Sequence, residues 1–395
     1  MQRRYKSAAA LALAFSLSSQ PIAAQQNSSD VTFFVGAKFV SDTNLFRVED
    51  EIQIPAFTEG SGLDDVYFVA SAGIDSTFVL TSKSRIRFDA EILESIYDEY
   101  PEVDNTSGNL LGRYDFTGNA LEFNVGYLRV EELVNFENQL TPRIDFRIRQ
   151  RVFSGLRANL SPRWSVGGEV AYTDIDFDLA RPVDRNSASF DITYESRKGS
   201  KFGMVAHYEE RESQGANDLG FEEFKAGAEI EWKATADLGI DFDLYYHERD
   251  PVDPLLTEFD GPTGEIELEW RVSSGVRFSV EAFRRISSLG DQLSNFAIVD
   301  GQSLKGEWRT GEKLGFTLAL NHELRDFEDE PNLIPIPGQE VREDDLVNVL
   351  AGIEWKPRRS ITIDASVKIG DRSSNRALQD FEYETFSIGI RYEFL

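Results

Sequence analysis

The chain ends with the stretch TFSIGIRYEFL, residues 385–395, which indicates the fold of the whole protein. Every second residue of this stretch is apolar: Phe386, Ile388, Ile390, Tyr392 and Phe394. The residues between them are small or charged. Because successive side chains of a β-strand point to opposite faces, a strand here has one apolar and one polar face. Such a strand suits a wall between lipid and water.

The same stretch resembles the terminal β-signal that the bacterial outer-membrane insertion machinery reads. That signal spaces a polar residue, a glycine and two aromatic residues as Ser387, Gly389, Tyr392 and Phe394 are spaced here. The usual last residue of the signal is Phe, whereas Leu395 follows Phe394 in this chain. The resemblance implies that the barrel insertion machinery is a partner.

The composition restricts the ways in which this chain could cross a membrane. Its 395 residues carry a formal charge of −28 and include no cysteine. No apolar run of about 18 residues follows the N-terminal region, so a membrane crossing must use strands. Without cysteine there is no disulfide, thiolate metal site or lipid anchor on cysteine. The acidic balance argues against nucleic acid as a partner, because phosphates require a basic surface.

Residues 1–24 have the pattern of a secretory signal peptide. A basic start at residues 3–6 precedes an apolar centre at 8–17 and small residues at 22–24 that fit a cleavage site. The alternative, a short buried helix, fits poorly with these flanks. We therefore predict a cleaved signal peptide, with residues 25–395 forming the mature protein.

From Val31 onward the chain alternates apolar and polar residues in segments of about 10 to 14 residues, a length suited to tilted transmembrane strands. Eight short polar turns alternate with longer acidic connections. Eight hairpins plus a first and a last strand give about 18 strands. The sequence therefore predicts an all-β protein, a transmembrane antiparallel up-and-down β-barrel with short periplasmic turns. The alternative is a large soluble β-sandwich.

Tryptophan placement supports the barrel. Each tryptophan lies near a short turn and shares parity with the apolar face of its strand: Trp164, Trp232, Trp270, Trp308 and Trp355. We expect these residues to form one belt at one membrane interface, where amphipathic rings are most stable.

The faces opposite the apolar ones carry charge. A strand predicted from Arg143 to Arg151 turns Ile144, Phe146 and Ile148 outward and points a basic ladder inward, interrupted by Asp145: Arg143, Arg147, Arg149 and Arg151. Three later strands form an acidic wall: Glu229, Glu231, Asp241, Asp243, Glu265, Glu267 and Glu269. Across one lumen these walls would create a transverse field that filters polar solutes. Alternatively, the charges pair with each other and brace the lumen.

Small inward residues favour an open lumen: Gly73, Gly167, Gly227, Gly315 and Gly352. A barrel of about 18 strands is wide enough for an aqueous channel unless loops plug it.

Signals for catalysis or cofactor binding are weak. The three histidines, His207, His247 and His322, fall on different strands, and neither HExxH nor GxSxG is present. His207 and His247 could lie two strands apart near the outer rim, as in the few barrels that are proteases or lipases. Acidic outer loops could hold divalent cations that bridge to lipopolysaccharide, but none has the spacing of a calcium loop. We predict that the protein is not an enzyme and has no cofactor or dedicated metal site.

The first predicted strand, VTFFVGAKFV, is followed by the motif D-x-N-L-F-R at residues 42–47. This entry, after a signal peptide and before a chain of hairpins, resembles the EpsL-like outer-membrane β-barrels of exopolysaccharide operons, within the broader β-barrel porin family. The resemblance implies a role in secreting or assembling a surface polysaccharide, with periplasmic export partners. The chain lacks room between residues 25 and 31 for the helical scaffold of some other exporters.

The sequence thus predicts a cell outer-membrane barrel, surrounded by lipid and lipopolysaccharide, that is an exit channel or assembly component for exopolysaccharide. Two alternatives remain open. One is a diffusion porin for small polar solutes, and the other is a plugged structural barrel or an adhesin.

Overall fold

A computed structural model describes residues 30–394, apart from 55–57, 59, 61, 140, 141, 180, 214–219, 289–295 and 329–340. The predicted signal peptide, residues 1–24, lies outside this part. The described chain forms 18 strands, β1 to β18 in chain order, at Asp30–Asp42, Asp65–Thr81, Ser84–Tyr97, Asn105–Thr117, Leu121–Leu133, Phe146–Asn159, Trp164–Phe177, Val183–Glu195, Lys201–Ser213, Phe221–Lys233, Leu238–Pro251, Phe259–Ser273, Val276–Ser287, Phe296–Thr310, Leu314–Glu328, Glu343–Arg358, Ile361–Ser374 and Phe381–Phe394.

The strands form one closed antiparallel sheet. Each strand pairs with the next in sequence, and β1 also pairs with β18, from Phe33 opposite Phe394 to Asp42 opposite Thr385. Closure leaves no sheet edge with unpaired backbone groups. The predicted fold class, an all-β up-and-down barrel of about 18 strands, is confirmed.

The two faces of the barrel wall differ in polarity, as the alternation predicts. On β18 the side chain of Ile388 is 45% exposed on the outer face, whereas Ser387 is 3% exposed on the inner face. Tyr392 and Phe394, from the predicted insertion signal, also lie on the outer face, with ring centroids 4.8 Å apart. Gly389 lies on the inner face beside Asp364. Recognition of this strand by the insertion machinery remains a prediction.

The connections at the two rims differ in length. Eight short turns join strands at one rim, and two of them contain a glycine with positive φ, Gly199 at 79° and Gly311 at 63°, a conformation that favours glycine. Connections at the other rim are longer, and one of them spans residues 43–64. Three of them contain a short 3-10 helix, at Glu51–Gln53, Pro101–Val103 and Phe136–Asn138. No helix in the described residues is long and apolar enough to span a membrane. We call the two rims the short-turn rim and the long-loop rim.

All five tryptophans lie on the outer face near the short-turn rim, and each is about half exposed. Two of them pack against aromatic neighbours on the adjacent strand. The ring of Trp164 is 5.1 Å from that of Tyr194, and the ring of Trp308 is 5.3 Å from that of Phe316. The five therefore form an arc at one height over the side of the barrel from β7 to β16, a position typical of a membrane-interface belt.

One predicted strand begins later than the alternation suggests. β6 starts at Phe146, so Arg143 belongs to the preceding loop and is not part of an inward ladder. Ile144, predicted to face outward, instead packs against buried side chains of the loops. The Arg143 N–H donates to Gln139 Oε1 at 2.7 Å, and Asp145 Oδ1 accepts from the Leu179 N–H at 2.9 Å. These side-chain contacts hold the loop where strand pairing would otherwise continue.

Candidate functional site

Three loops at the long-loop rim pack their apolar side chains together. We call this group the loop cluster, and its buried members are Leu45, Phe46, Val48, Tyr100, Val103 and Phe136. The ring of Phe46 is fully buried, 4.9 Å from Tyr100 and 5.0 Å from Phe136 between centroids. The loops therefore form a small hydrophobic core of their own.

The D-x-N-L-F-R motif builds the turn that buries Phe46. The Asn44 side chain donates to the Val48 carbonyl at 2.7 Å and accepts from the Val48 N–H at 3.1 Å. The Arg47 guanidinium donates to both carboxylate oxygens of Asp42 at 2.7 Å and stacks 3.7 Å from the centre of the Tyr383 ring. The motif therefore fixes the first loop against the inner wall of β18.

Tyr100 joins the second loop to the first. Its ring is fully buried, and its hydroxyl donates to the Gly62 carbonyl. Burial, followed by the nearby carboxylate of Asp65, raises the pKa of Tyr100. The hydroxyl therefore remains a protonated donor at neutral pH.

The third loop, between β5 and β6, extends into the barrel. The Glu137 carbonyl accepts from Arg372 Nη1 at 2.8 Å, and the Glu137 carboxylate lies 3.8 Å from Arg325 and 4.0 Å from Lys368. Arg325 is an inward residue of β15, and the other two are inward residues of β17. Lys368 is six residues from the end of β17 at Ser374, so the loop lies within the lumen and narrows it.

We expect Asn44→Ala to loosen the first loop, because it removes both side-chain bonds to Val48 and leaves buried backbone groups unpaired, at about 1–3 kcal/mol. Trypsin should then cleave after Arg47 about tenfold faster or more, since about 1.4 kcal/mol changes an opening equilibrium tenfold. Asn159→Ala is the control, because the Asn159 side chain makes only longer hydrogen bonds, at the opposite rim. Equal cleavage rates in both variants would contradict this role for the motif.

The remaining three arginines of the basic ladder lie on the inner face of β6. Arg147 Nε donates to Glu132 at 2.9 Å, and Arg151 Nη2 donates to Glu169 at 2.7 Å. Arg149 has no ion pair among the described residues, and its Nε has no hydrogen-bond partner there. Two of the three arginines are thus paired, as the bracing alternative predicts, and Arg149 is not.

Two further inward arginines, Arg185 on β8 and Arg211 on β9, were missed in the sequence reading. They lie opposite each other in the register, and Arg185 is 3.6 Å from Glu209. Both residues lie near the ends of their strands, next to long connections, and this position could have indicated them in the sequence. Together with the rungs of β6 they form what we call the arginine cluster: Arg147, Arg149, Arg151, Arg185 and Arg211.

The acidic wall lies on the inner faces of β10, β11 and β12. In the register Asp243 stands between Glu229 and Glu265, while Asp241 stands between Glu231 and Glu267. Some members are compensated, since Lys201 Nζ is 2.6 Å from Glu231 and Arg277 is 3.5 Å from Glu269. Five members have no ion pair in the described part of the chain: Glu229, Asp241, Asp243, Glu265 and Glu267.

The arginine cluster and the acidic wall lie at different heights along the barrel axis as well as on different sides of the lumen. The acidic wall begins at Glu231, two residues from the end of β10 at the short-turn rim, whereas Arg149 is ten residues from the end of β6 at that rim. The predicted field across the lumen is therefore also stepped along the barrel axis, with positive charge toward the long-loop rim and negative charge toward the short-turn rim.

Some of the inward glycines do not leave empty space. A Cβ at Gly73 would lie 2.3 Å from Phe34 Cζ, and one at Gly227 would lie 2.7 Å from a ring carbon of Tyr245. Aromatic rings on neighbouring strands thus lie flat against the wall over these glycines. The Gly167 position faces Asp191 and Arg157, whereas Gly315 and Gly352 have no ring over them. Inward glycine therefore indicates a close approach of side chains more often than an open space.

The histidines occupy separate positions. His207 and His247 flank Lys225 on the inner wall, two strands apart, and His322 is on the outer face of β15. His247 is 1% exposed, with Nε2 3.2 Å from Glu223. Arg249 Nη2 binds the same carboxylate at 2.8 Å and stacks on a phenylalanine ring. Glu223 thus ties together the long-loop ends of these strands, and the absence of enzyme activity stays a prediction.

Comparisons with known proteins agree with this geometry. A family model described as "Putative beta-barrel porin 2" matches residues 206–394. No curated protein shows significant sequence similarity to the chain. Acinetobacter baumannii OccAB2 is similar in structure, with a TM-score of 0.54 at 10% identity, over 93% of this chain and 98% of that one. Pseudomonas aeruginosa OpdK gives 0.54 at 10% identity over 92% and 99%, and OpdQ of the same organism gives 0.52 at 6% over 93% and 97%. Identities this low establish the fold alone, a closed antiparallel β-barrel of 18 strands.

Proposed function

We propose that the protein is an outer-membrane channel through which small polar solutes diffuse. The observation that carries this proposal is a closed barrel of 18 strands whose outer face is apolar and whose inner face is charged. A barrel of this size encloses an aqueous lumen unless its loops close it. The arc of tryptophans and the N-terminal signal pattern support placement in the outer membrane, surrounded by lipid and lipopolysaccharide. A matched OpdK structure was solved with vanillate, a small carboxylate.

The inner charges would select solutes by their charge distribution. An anionic group entering from the long-loop rim meets the arginine cluster first, and its attraction there is strengthened by the low-dielectric wall. It then meets the acidic wall, which favours a cationic group. We therefore expect the channel to favour solutes that carry both kinds of charge over those with a single charge.

Exopolysaccharide export is the second candidate, and the D-x-N-L-F-R motif is the observation that supports it. In the structure, however, this motif anchors the loop cluster, which narrows the lumen. A narrowed mouth fits small solutes better than a polymer chain, and the structural relatives also fit diffusion better.

Single-channel recording of the refolded protein in planar bilayers tests the proposal. We expect steady conductance in salt, together with swelling of proteoliposomes in isosmotic solutions of small amino acids and sugars. Loss of polymer secretion from a deletion strain, with unchanged solute uptake, would support export instead. No conductance under any condition would exclude both pores and support a plugged structural barrel.

A further inference from the structure

The lipid-facing surface carries a polar patch on three adjacent strands. The patch consists of Arg284 on β13, Asp300 and Gln302 on β14, and His322 on β15. Arg284 Nη1 is 2.8 Å from Asp300 Oδ2, and both side chains are more than 40% exposed. These residues share parity with the tryptophan belt, so they point away from the lumen.

The height of the patch places it within the apolar band. Gln302 is six residues from Trp308, which corresponds to about 20 Å along the strand and about 15 Å along the membrane normal at the usual tilt. The band of such barrels is about 25 Å tall. Other strands carry apolar residues six positions from their tryptophans, Val170 on β7 and Val349 on β16. Polar residues at this height therefore need a specific reason.

Hydrogen bonds satisfy the patch only in part. His322 Nδ1 is 3.1 Å from Gln302 Nε2, and His322 Nε2 is 2.9 Å from Asp345 Oδ1. A glutamine amide has two donors and an arginine has five, so several N–H groups would face hydrocarbon. Polar groups facing lipid are costly, and in membrane proteins they usually pair with one another or with protein.

All four residues of the patch line a groove of about 470 Å³, in which small side chains lower the surface. Gly264 and Ala282 form part of its lining, and Leu244, Ile266 and Leu324 are among the larger residues around them. Leu324 is 46% exposed and pairs with Asp300 in the register. The groove and the exposed side chain of Leu324 thus lie next to each other at the polar patch.

We propose that this face is the contact surface of a homodimer, in which a second copy of the chain packs side by side in the membrane about a two-fold axis. A two-fold contact requires a self-complementary patch, and adjacent opposite charges at Arg284 and Asp300 meet this requirement. Each Leu324 can fill the groove of the other copy. An anionic lipid headgroup fits less well, because Asp300 and Asp345 outnumber the one arginine.

The chain has no cysteine, so single-cysteine variants give clean crosslinking. We expect Gln302→Cys to form a disulfide-linked dimer in native membranes, whereas Val152→Cys should not. Val152 is the matched control, because it is 52% exposed on the outer face of β6, on another side of the barrel. Equal crosslinking of both variants, or of neither, would overturn the proposal.

Exchanging the charges of Arg284 and Asp300 tests the proposed dimer contact without introducing cysteine. Arg284→Asp should shift the protein from dimer to monomer in native mass spectrometry from nanodiscs, since it places four carboxylates at the axis. Arg284→Asp combined with Asp300→Arg should restore the dimer at least tenfold relative to the single variant. A wild-type monomer, with or without bound lipid, would overturn the proposal. Neither readout requires the channel to conduct.

Discussion

Replacing Phe46 and Phe136 together by alanine is expected to raise single-channel conductance about twofold, because it removes the loop cluster from the pore. The two rings pack 5.0 Å apart at the centre of the cluster. Replacing a buried phenylalanine by alanine typically lowers the free energy of unfolding by about 3–5 kcal/mol. A cluster of this size cannot lose that much stability and remain folded. The third loop would then lose the packing that holds Glu137 against β15 and β17.

Ile52→Ala is the matched control for this variant. Ile52 belongs to the same loop but is 83% exposed, so its truncation should leave conductance unchanged. The barrel itself should remain folded in both variants, as unchanged heat-dependent migration on gels would show. If the wild-type barrel does not conduct ions and only the double variant does, the loop cluster closes the pore, which supports the plugged-barrel hypothesis. Equal conductance in all three proteins would show that the loops do not limit flow.

The strands could be predicted because a transmembrane wall imposes a strict period of two. Ile388 and Ser387 must face lipid and lumen respectively, and this requirement is visible in the residue types themselves. The period does not show where a strand ends, since polar and apolar residues can alternate in a loop as well. Arg143 and Ile144 continue the alternation of β6, yet loop contacts hold them outside the strand.

The loop packing could not be predicted, because it depends on contacts between segments far apart in sequence. Phe46, Tyr100 and Phe136 belong to three loops that are far apart in the sequence, and no pattern within one loop shows that they pack together. The arginine cluster has a similar origin, since Arg185 and Arg211 become neighbours only through the register of β8 and β9. The charged face of each single strand could be predicted from the sequence. Which charged faces become neighbours in the lumen depends on the strand pairing of the closed barrel.

Neutralising the two charged groups separately is expected to shift ion selectivity in opposite directions. Arg149→Gln with Arg185→Gln removes two cations near the long-loop rim, and Asp243→Asn with Glu265→Gln removes two anions from the acidic wall. A unit charge about 8 Å away is worth about 0.5 kcal/mol in water, so each pair changes the permeability of a cation or an anion about fivefold, in opposite directions for the two ions. Reversal potentials in a salt gradient should therefore move toward cation preference for the first pair and toward anion preference for the second.

The salt dependence of these shifts identifies their origin. Screening shortens the reach of charge from about 10 Å at 0.1 M salt to about 3 Å at 1 M, so both shifts should nearly vanish at 1 M. Arg163→Gln with Lys198→Gln is the control for net charge, because these residues lie in short turns outside the lumen. Shifts of equal size in this control, or shifts of the same sign in both test pairs, would show that the lumen charges do not set selectivity. Opposite shifts that disappear in high salt would place both groups along the path of the permeating ions, one after the other.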